Sequence, residues 1–313
     1  MDTQQEQTTT HGAIDPATHV GMLSLIVSDL ERSLAFYTEV FGFTLLERNG
    51  GNATLGVDGV PVLLLTEHAG AKPWPRERRS YTGLYHFAIL VPTRADLGRW
   101  LRHWLDAGQP IPGQGDHVVS EALYISDPDE NGIEIYADRP RSGWQWVNGQ
   151  IQMGTGPVDL RGLLTEAAQH DEPWTGLAAG THLGHMHLQV RNIAEAEAFY
   201  HSVLGFDIVA KMPTALFISA GGYHHHIGMN TWHSLGADPA PADSVGLRFF
   251  TIELPSAEAR AAVVDRIRSA GLDYTDAGNV VAVRDPSRNT VLLRVAPMPS
   301  TQEAGALATA WPA

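Results

Sequence analysis

A chain of 313 residues, 43% hydrophobic and 18% charged, is long enough for two domains and ordinary in composition for a globular protein. Its 35 acidic against 21 basic residues leave a net charge of −14. That argues against nucleic acid or an anionic membrane as a partner, since either needs a basic face for phosphates.

Cysteine is absent, so disulfides, thiolate metal sites and a cysteine nucleophile are excluded. A metal here would have to use His and carboxylate. The stretch Met1–Pro16 is polar and lacks the apolar run of a secretory signal. Nothing approaches the roughly 18 apolar residues of a membrane span, and a cytoplasmic location is the expectation.

In chain order, Gly21-Met-Leu-Ser-Leu-Ile-Val27 alternates at Leu25 and Val27 and predicts a half-buried strand. Asp29 can cap a helix carrying Ala35-Phe-Tyr-Thr-Glu-Val-Phe-Gly-Phe43, which Gly42 stops before Phe43 opens a new strand. A second unit starts at Gly83-Leu-Tyr-His86, passes Pro92 and Gly108, and ends in the turn Asp127-Pro-Asp-Glu-Asn131 and a strand rich in Ile. Residues 141–180 carry Trp144, Trp146 and Gly/Pro punctuation, and read as a linker packed on the body. Gly184-His-Met-His-Leu-Gln-Val190, the capping Asn192 and Ala198-Phe-Tyr-His-Ser-Val-Leu-Gly-Phe206 then repeat the first unit 163 positions later. Gly246-Leu247, Pro255 and Gly271 repeat the second unit at the same offset. Asp285-Pro-Ser-Arg-Asn289 follows its counterpart by 158, so about five residues are missing from the later copy. Four units result, each strand, helix, then several strands. The expected division is 18–140, a linker 141–180, and 181–297, with a frayed tail from about 298.

Four such units, with Phe-Tyr and Gly-Phe at these places, resemble the vicinal oxygen chelate superfamily. That group includes glyoxalase I, bleomycin-resistance proteins and extradiol dioxygenases. The resemblance covers nearly all of 18–297 and implies an α+β fold of four βαβββ modules in two tandem domains. By itself it does not choose a reaction, because the fold hosts enzymes and binders alike.

In that family the first strand of a unit offers a metal ligand seven residues before the helix cap. The third unit has His185 there and the first has Met22. On the second unit's strands stand His86 and Glu134; the fourth has Phe249 and Leu292 instead. One complete set survives, His86, His185 and Glu134, split between units two and three. It implies that those two units pack together. Two His and one carboxylate with open positions is the arrangement of non-haem Fe(II) oxygenases. Each residue alone has a plainer reading: a strand His is often a hydrogen-bonded core residue, and Glu134 could face solvent on an edge strand. Their joint match favours the metal. His187, two residues along the same face, is expected to line the pocket, though it could exchange roles with His185.

The segment Gly115-Asp-His117 through Tyr124-Ile-Ser-Asp127-Pro-Asp-Glu-Asn-Gly-Ile-Glu134 is similar to the extradiol dioxygenase signature. Glu130 departs from it, standing where Gly or Pro is usual, although Asn131-Gly132 could supply the turn. The resemblance implies that His117 and Tyr124 are hydrogen-bond donors beside the metal, rather than a loop His and a buried, satisfied Tyr. The tract Tyr223-His-His-His226 falls late in the third unit, where extradiol enzymes carry an acid–base His. Strand alternation puts His224 and His226 on one face and His225 on the other, and aligning the last His selects His226. His19, His68, His103, His170, His182, His201 and His233 carry no motif and read as surface or packing residues.

The resemblance implies Fe(II), with Mn(II) as an alternative, a small aromatic diol and O2 as substrates, and chemistry like that of the bacterial catechol-2,3-dioxygenase group. A homo-oligomer is compatible with it. The rivals are a glyoxalase-like isomerase or lyase, which usually has a fourth protein ligand, and a metal-free binder of the bleomycin-resistance kind.

Overall fold

Every unit opens with a strand and a capped helix, as the sequence demands. In this computed structural model, which describes residues 12–72, 81–169, 173–297 and 299–310, the chain starts with β1 (His19–Val27). Both the polar N-terminal stretch through His11 and His170 lie outside those residues. Helix α1 (Leu30–Ala35) is capped by Asp29, whose side chain accepts from the Arg32 N–H. Its last turn widens into a π-helix, Phe36–Phe41, which Gly42 ends at a left-handed φ of 105°. β2 (Thr44–Asn49), β3 (Asn52–Val57) and β4 (Val60–Glu67) complete the unit.

The second unit holds β5 (Tyr81–Leu90), α2 (Arg94–Asp106), β6 (Gly113–Asp116), β7 (Ser120–Ser126) and β8 (Gly132–Asp138). The connecting segment forms a small hairpin, β9 (Trp146–Val147) with β10 (Gln150–Ile151), and then α3 (Leu160–Ala167). It is tied to the body: Asp116 and Gly156 exchange backbone hydrogen bonds of 2.8 and 2.9 Å. The third unit holds β11 (His182–Gln189), α4 (Ile193–Glu197) with its π-turn Ala198–Val203, β12 (Asp207–Met212), β13 (Ala215–Ser219) and β14 (Ile227–Asn230). A short strand β15 (Asp238–Pro239) leads to the fourth: β16 (Gly246–Leu254), α5 (Ala257–Ser269), β17 (Tyr274–Asp276), β18 (Val280–Arg284) and β19 (Thr290–Val295).

Pairing between units is crossed. One sheet runs β17-β18-β19-β16-β1-β4-β3-β2 and joins units one and four through the antiparallel pair β1/β16. The other runs β12-β13-β14-β11-β5-β8-β7-β6 and joins units two and three through antiparallel β5/β11, with β15 added beside β5. Each sheet therefore draws one unit from each half of the chain, as the split ligand set requires.

Alternation decides what each face of these sheets carries. Phe87, Ile89, Ile133, Ile135, Met186 and Leu188 join Leu23, Leu25, Phe250 and Ile252 in one large apolar core. The intervening residues occupy the opposite faces: His86, Glu134 and His185 on one sheet, Met22, Phe249 and Leu292 on the other. The tail differs from the frayed end expected. Residues Thr301–Ala310 form helix α6, whose Ala304 and Leu307 bury against Met22, Phe249 and Leu292. An apolar sheet face in water needs a cover, and the tail supplies it.

Candidate metal centre and its cavity

The sheet of units two and three encloses a cavity of about 630 Å³, lined by residues of β5, β7, β8 and β11, by the His tract and by Met153–Thr155 of the connecting segment. Register brings the three candidate ligands together. β5 runs parallel to β8 and antiparallel to β11, so Glu134 and His185 stand on either side of Ala88, and His86 stands two residues earlier on the same face of β5. Gly184 is needed beside them, because a Cβ there would lie 2.0 Å from the Tyr136 hydroxyl.

His86, Glu134 and His185 are all buried and offer ligand atoms within 4.8 Å of one another. Glu134 Oε2 lies 3.0 Å from His86 Nε2 and 3.2 Å from His185 Nε2. The first of these is not aligned as a hydrogen bond, and His86 Nε2 is buried without such a partner. That nitrogen is left for a further partner beside the other two ligand atoms. Burial alone would raise the Glu134 carboxyl. The adjacent imidazoles, His185 by charge and hydrogen bond and then His86, overcome this and hold it well below the usual range. Burial also pushes His185 down to about 4, against the pull of Glu134. At neutral pH the set is one carboxylate and neutral imidazole from His185, which suits a divalent cation. Among the described residues no fourth His or acid joins this group.

The signature residues stand next to it. Tyr124 on β7 lies directly across from Glu134 on β8. Its hydroxyl is 2.6 Å from His117 Nε2, and His117 Nδ1 is 2.9 Å from the Gly154 carbonyl. A carbonyl only accepts, so Nδ1 carries the proton and Tyr124 donates to Nε2. Burial first, and then the charge of Glu134, raise the Tyr124 phenol well above its usual value, so it stays protonated. Both residues are in the cavity wall, and a neutral His117 directs its one N–H to Gly154.

His187 also lines the cavity, its ring 4.8 Å from His86 and 5.0 Å from Tyr85. It does not exchange roles with His185, for its Nε2 is engaged at 3.0 Å by the Asn230 side-chain amide. Burial holds its imidazole well below the ordinary value, and thus neutral.

The His tract departs from expectation. Residues 223–226 are a bend ahead of β14, not a strand, so alternation does not govern them. His226 turns away from the cavity: its Nδ1 accepts from the Ala220 N–H at 3.2 Å, and its ring packs on Tyr223. Burial lowers it to about 3. His224 and His225 line the cavity instead, and the His225 ring centroid is 4.2 Å from that of His185. Burial first, then the neighbouring imidazoles, push His225 well below its usual value. Tyr136 belongs to no motif, yet its ring packs 4.9 Å from His185. Its position two residues beyond Glu134 on the same strand face is the signal that points to it.

Two crossed sheets with one His/His/Glu seat define a paired-module metal-enzyme scaffold. The model of the Glyoxalase/Bleomycin resistance protein/Dioxygenase superfamily matches residues 18–135 and 182–293, and the chain belongs to that superfamily. It is 49% identical over 278 residues to the catechol-2,3-dioxygenase of Bacillus subtilis (strain 168), covering 88% of this chain and 96% of that one. Among solved structures it is similar to a Bacillus subtilis protein (TM-score 0.62, 14% identity, 94% of this chain and 91% of that one). It is also similar to a point variant of glyoxalase I from Zea mays (TM-score 0.54, 17% identity, 89% and 94%). At such identities these two establish the fold alone. No helix among the described residues is long and apolar enough to cross a membrane.

Proposed function

We propose that the chain is an extradiol dioxygenase that cleaves a catecholic ring beside its two hydroxyls, consuming O2, with catechol-2,3-dioxygenase activity. The observation that carries this reading is the convergence of His86, Glu134 and His185 in the wall of a cavity that still has room for an aromatic ring. The relative of Bacillus subtilis supports the choice of reaction. His86, Glu134 and His185 would hold a divalent ion, Fe(II) with Mn(II) as the alternative, which would supply a positive charge to bind and activate the diol.

The rest is the work of side chains. Tyr124, its hydrogen directed to His117, turns oxygen lone pairs toward the seat and accepts a hydrogen bond from a substrate hydroxyl. His225, neutral and in the cavity wall, takes over the part expected of His226 and moves a proton at the oxygen side of the site. His187 contributes to the wall on the far side of His86, where Tyr85, Phe217 and Trp232 supply aromatic surface for the substrate ring.

Metal analysis and oxygen uptake on anaerobically purified protein test the reading. Bound iron, or manganese, with O2 uptake on adding catechol is the expected result. Bound zinc without O2 uptake would favour a glyoxalase-like reaction, and protein that takes up no metal a simple binder; either would overturn the proposal.

A further inference from the structure

Behind His225 lies a hydrogen-bonded chain that the reaction, as described so far, does not use. His224 Nδ1 is 2.9 Å from His225 Nδ1, and His224 Nε2 is 3.1 Å from Asp138 Oδ1. His224 is 1% exposed, whereas the Asp138 side chain is 23% exposed. Asp138 also borders a second crevice, shared with Arg94, Glu121 and Arg139. The carboxylate therefore meets solvent while the imidazole behind it is shielded.

The donors and acceptors along this chain have one consistent assignment. An ionised carboxylate only accepts, so His224 Nε2 carries a proton. His224 sits among the rings of Tyr136, Trp144, His185 and His225, and as a neutral imidazole with its one N–H on Nε2 it presents a lone pair at Nδ1. The short contact to His225 then requires the His225 Nδ1–H to donate. What remains to His225 is Nε2, without a proton, as the ring nitrogen free for the cavity.

We infer that Asp138 and His224 are positioning residues that fix the tautomer of His225, so that it meets the substrate as a proton acceptor. The inference rests on the role given to His225 above. It parallels the way a carboxylate behind an imidazole sets its tautomer in hydrolytic triads, with a second imidazole interposed. When His225 Nε2 takes a proton from a substrate hydroxyl, breaking O–H and forming N–H, the positive charge faces a dipole already aligned toward Asp138. The spacing in β8 is what puts Asp138 there: Glu134, Tyr136 and Asp138 alternate onto one face, ligand first and carboxylate last.

Neutron diffraction from the deuterated, metal-loaded full chain reads the assignment directly. Deuterons on His224 Nε2 and His225 Nδ1 are expected; a deuteron on His225 Nε2 or on His224 Nδ1 would overturn the inference. Kinetics provide the second arm. Asp138→Leu and His224→Leu should each lower kcat by about 10²-fold, the lower end of what lost acid–base assistance costs, with KM for catechol and metal content little changed. His224→Gln can accept from His225 through Oε1 and donate to Asp138 through its amide, and should recover most of that loss. Leucine variants with full kcat, or a glutamine variant as slow as the leucine one, would sink the idea. A wild-type protein inert toward catechol and O2 would defeat the dioxygenase reading, but the deuteron positions would still decide the tautomer.

Discussion

The two sheets are built alike and have come to opposite uses. In the sheet of units two and three, positions 86, 134 and 185 are His, Glu and His around a cavity. At the corresponding positions of the other sheet stand Phe249, Leu292 and Met22, closed over by α6. Outside those positions the duplication is kept. Tyr37 donates to Asp127 at 2.8 Å and Tyr200 to Asp285 at 3.0 Å, and each Asp also holds the turn that follows it. What the repeat retains is what folds the module, namely caps, the Phe-Tyr helix and the Asp turn. The chemistry occurs once. A sheet face that loses its polar ligands becomes an apolar surface, and the molecule buries it under a helix rather than leaving it open.

The sharpest way to break this contrast is to exchange the two faces. Glu134→Leu copies Leu292 and should bring metal content to background and abolish O2 uptake, while the protein still melts cooperatively. The reverse change, Leu292→Glu, should gain no metal, because Met22 and Phe249 offer no imidazole. It should cost roughly 3–5 kcal/mol by burying an unpaired carboxylate. Metal analysis and thermal melts on both variants decide it; a second equivalent of metal bound by Leu292→Glu, beyond that of the wild type, would show that the second face is not closed. Smaller, and confined to the working sheet, is the effect of His225→Ala. It should keep its metal and lose about 10²–10⁴-fold in kcat, whereas His226→Ala should stay near wild type. If the two variants change places, the placement of the His tract is wrong.

Most of the architecture can be read from residues in order, because it depends on local signals; the metal set follows once the family resemblance supplies the ligand positions. Glycine stops, Asx caps and a fixed repeat offset define the modules, and the offset shows which copies lack ligands. The crossed pairing of units follows from one inference, that a complete set split between two units must be reunited. Three features are hidden for physical reasons. The choice of His226 comes from aligning the last His of the tract, and the assignment of faces from reading 223–226 as a strand; Gly221 and Gly222, at φ of 59° and 66°, put a turn just before them and break the alternation. The part played by Met153–Thr155 depends on the connecting segment zipping onto β6, a long-range contact with no periodic trace. The tail looks frayed in sequence because α6 has little amphipathic pattern of its own; Ala304 and Leu307 acquire a partner only when the second sheet presents its apolar face.

Acid should separate the sheets in free energy. Burial holds His185 at about 4 and His226 at about 3, and lowers His187 and His225 as well. A folded-state value below the unfolded 6.5 means that the folded protein binds fewer protons through that interval. Stability is then full above about pH 6.5 and drains as pH falls toward 4, by about 3 kcal/mol for His185 alone. Buried carboxyls have the opposite sign: burial raises Asp127 in the working sheet and Asp285 in the other. Asp285 is raised to about 6, so its contribution is complete below about 3.8 and is lost as pH rises through 6. The imidazoles outnumber them, and protein stripped of metal by a chelator should show a melting temperature that falls from pH 7 to pH 5. A flat or rising profile would contradict the placement of these neutral imidazoles. His185→Phe should flatten the slope.

The smallest effect belongs to the closed face. Leu307 is 8% exposed and packs with Met22, Leu64 and Phe249 beneath α6. Leu307→Ala leaves a space at the edge of the fold that a terminal helix can partly collapse, so the cost should be near the low end for such truncations, about 2 kcal/mol. Turnover should be unchanged, because no residue of that cluster reaches the cavity under β5 and β11. Denaturant melts and kcat measured on one preparation test both halves of the statement. If kcat falls in proportion to stability, the two sheets are coupled, and the closed face supports the working one beyond being covered.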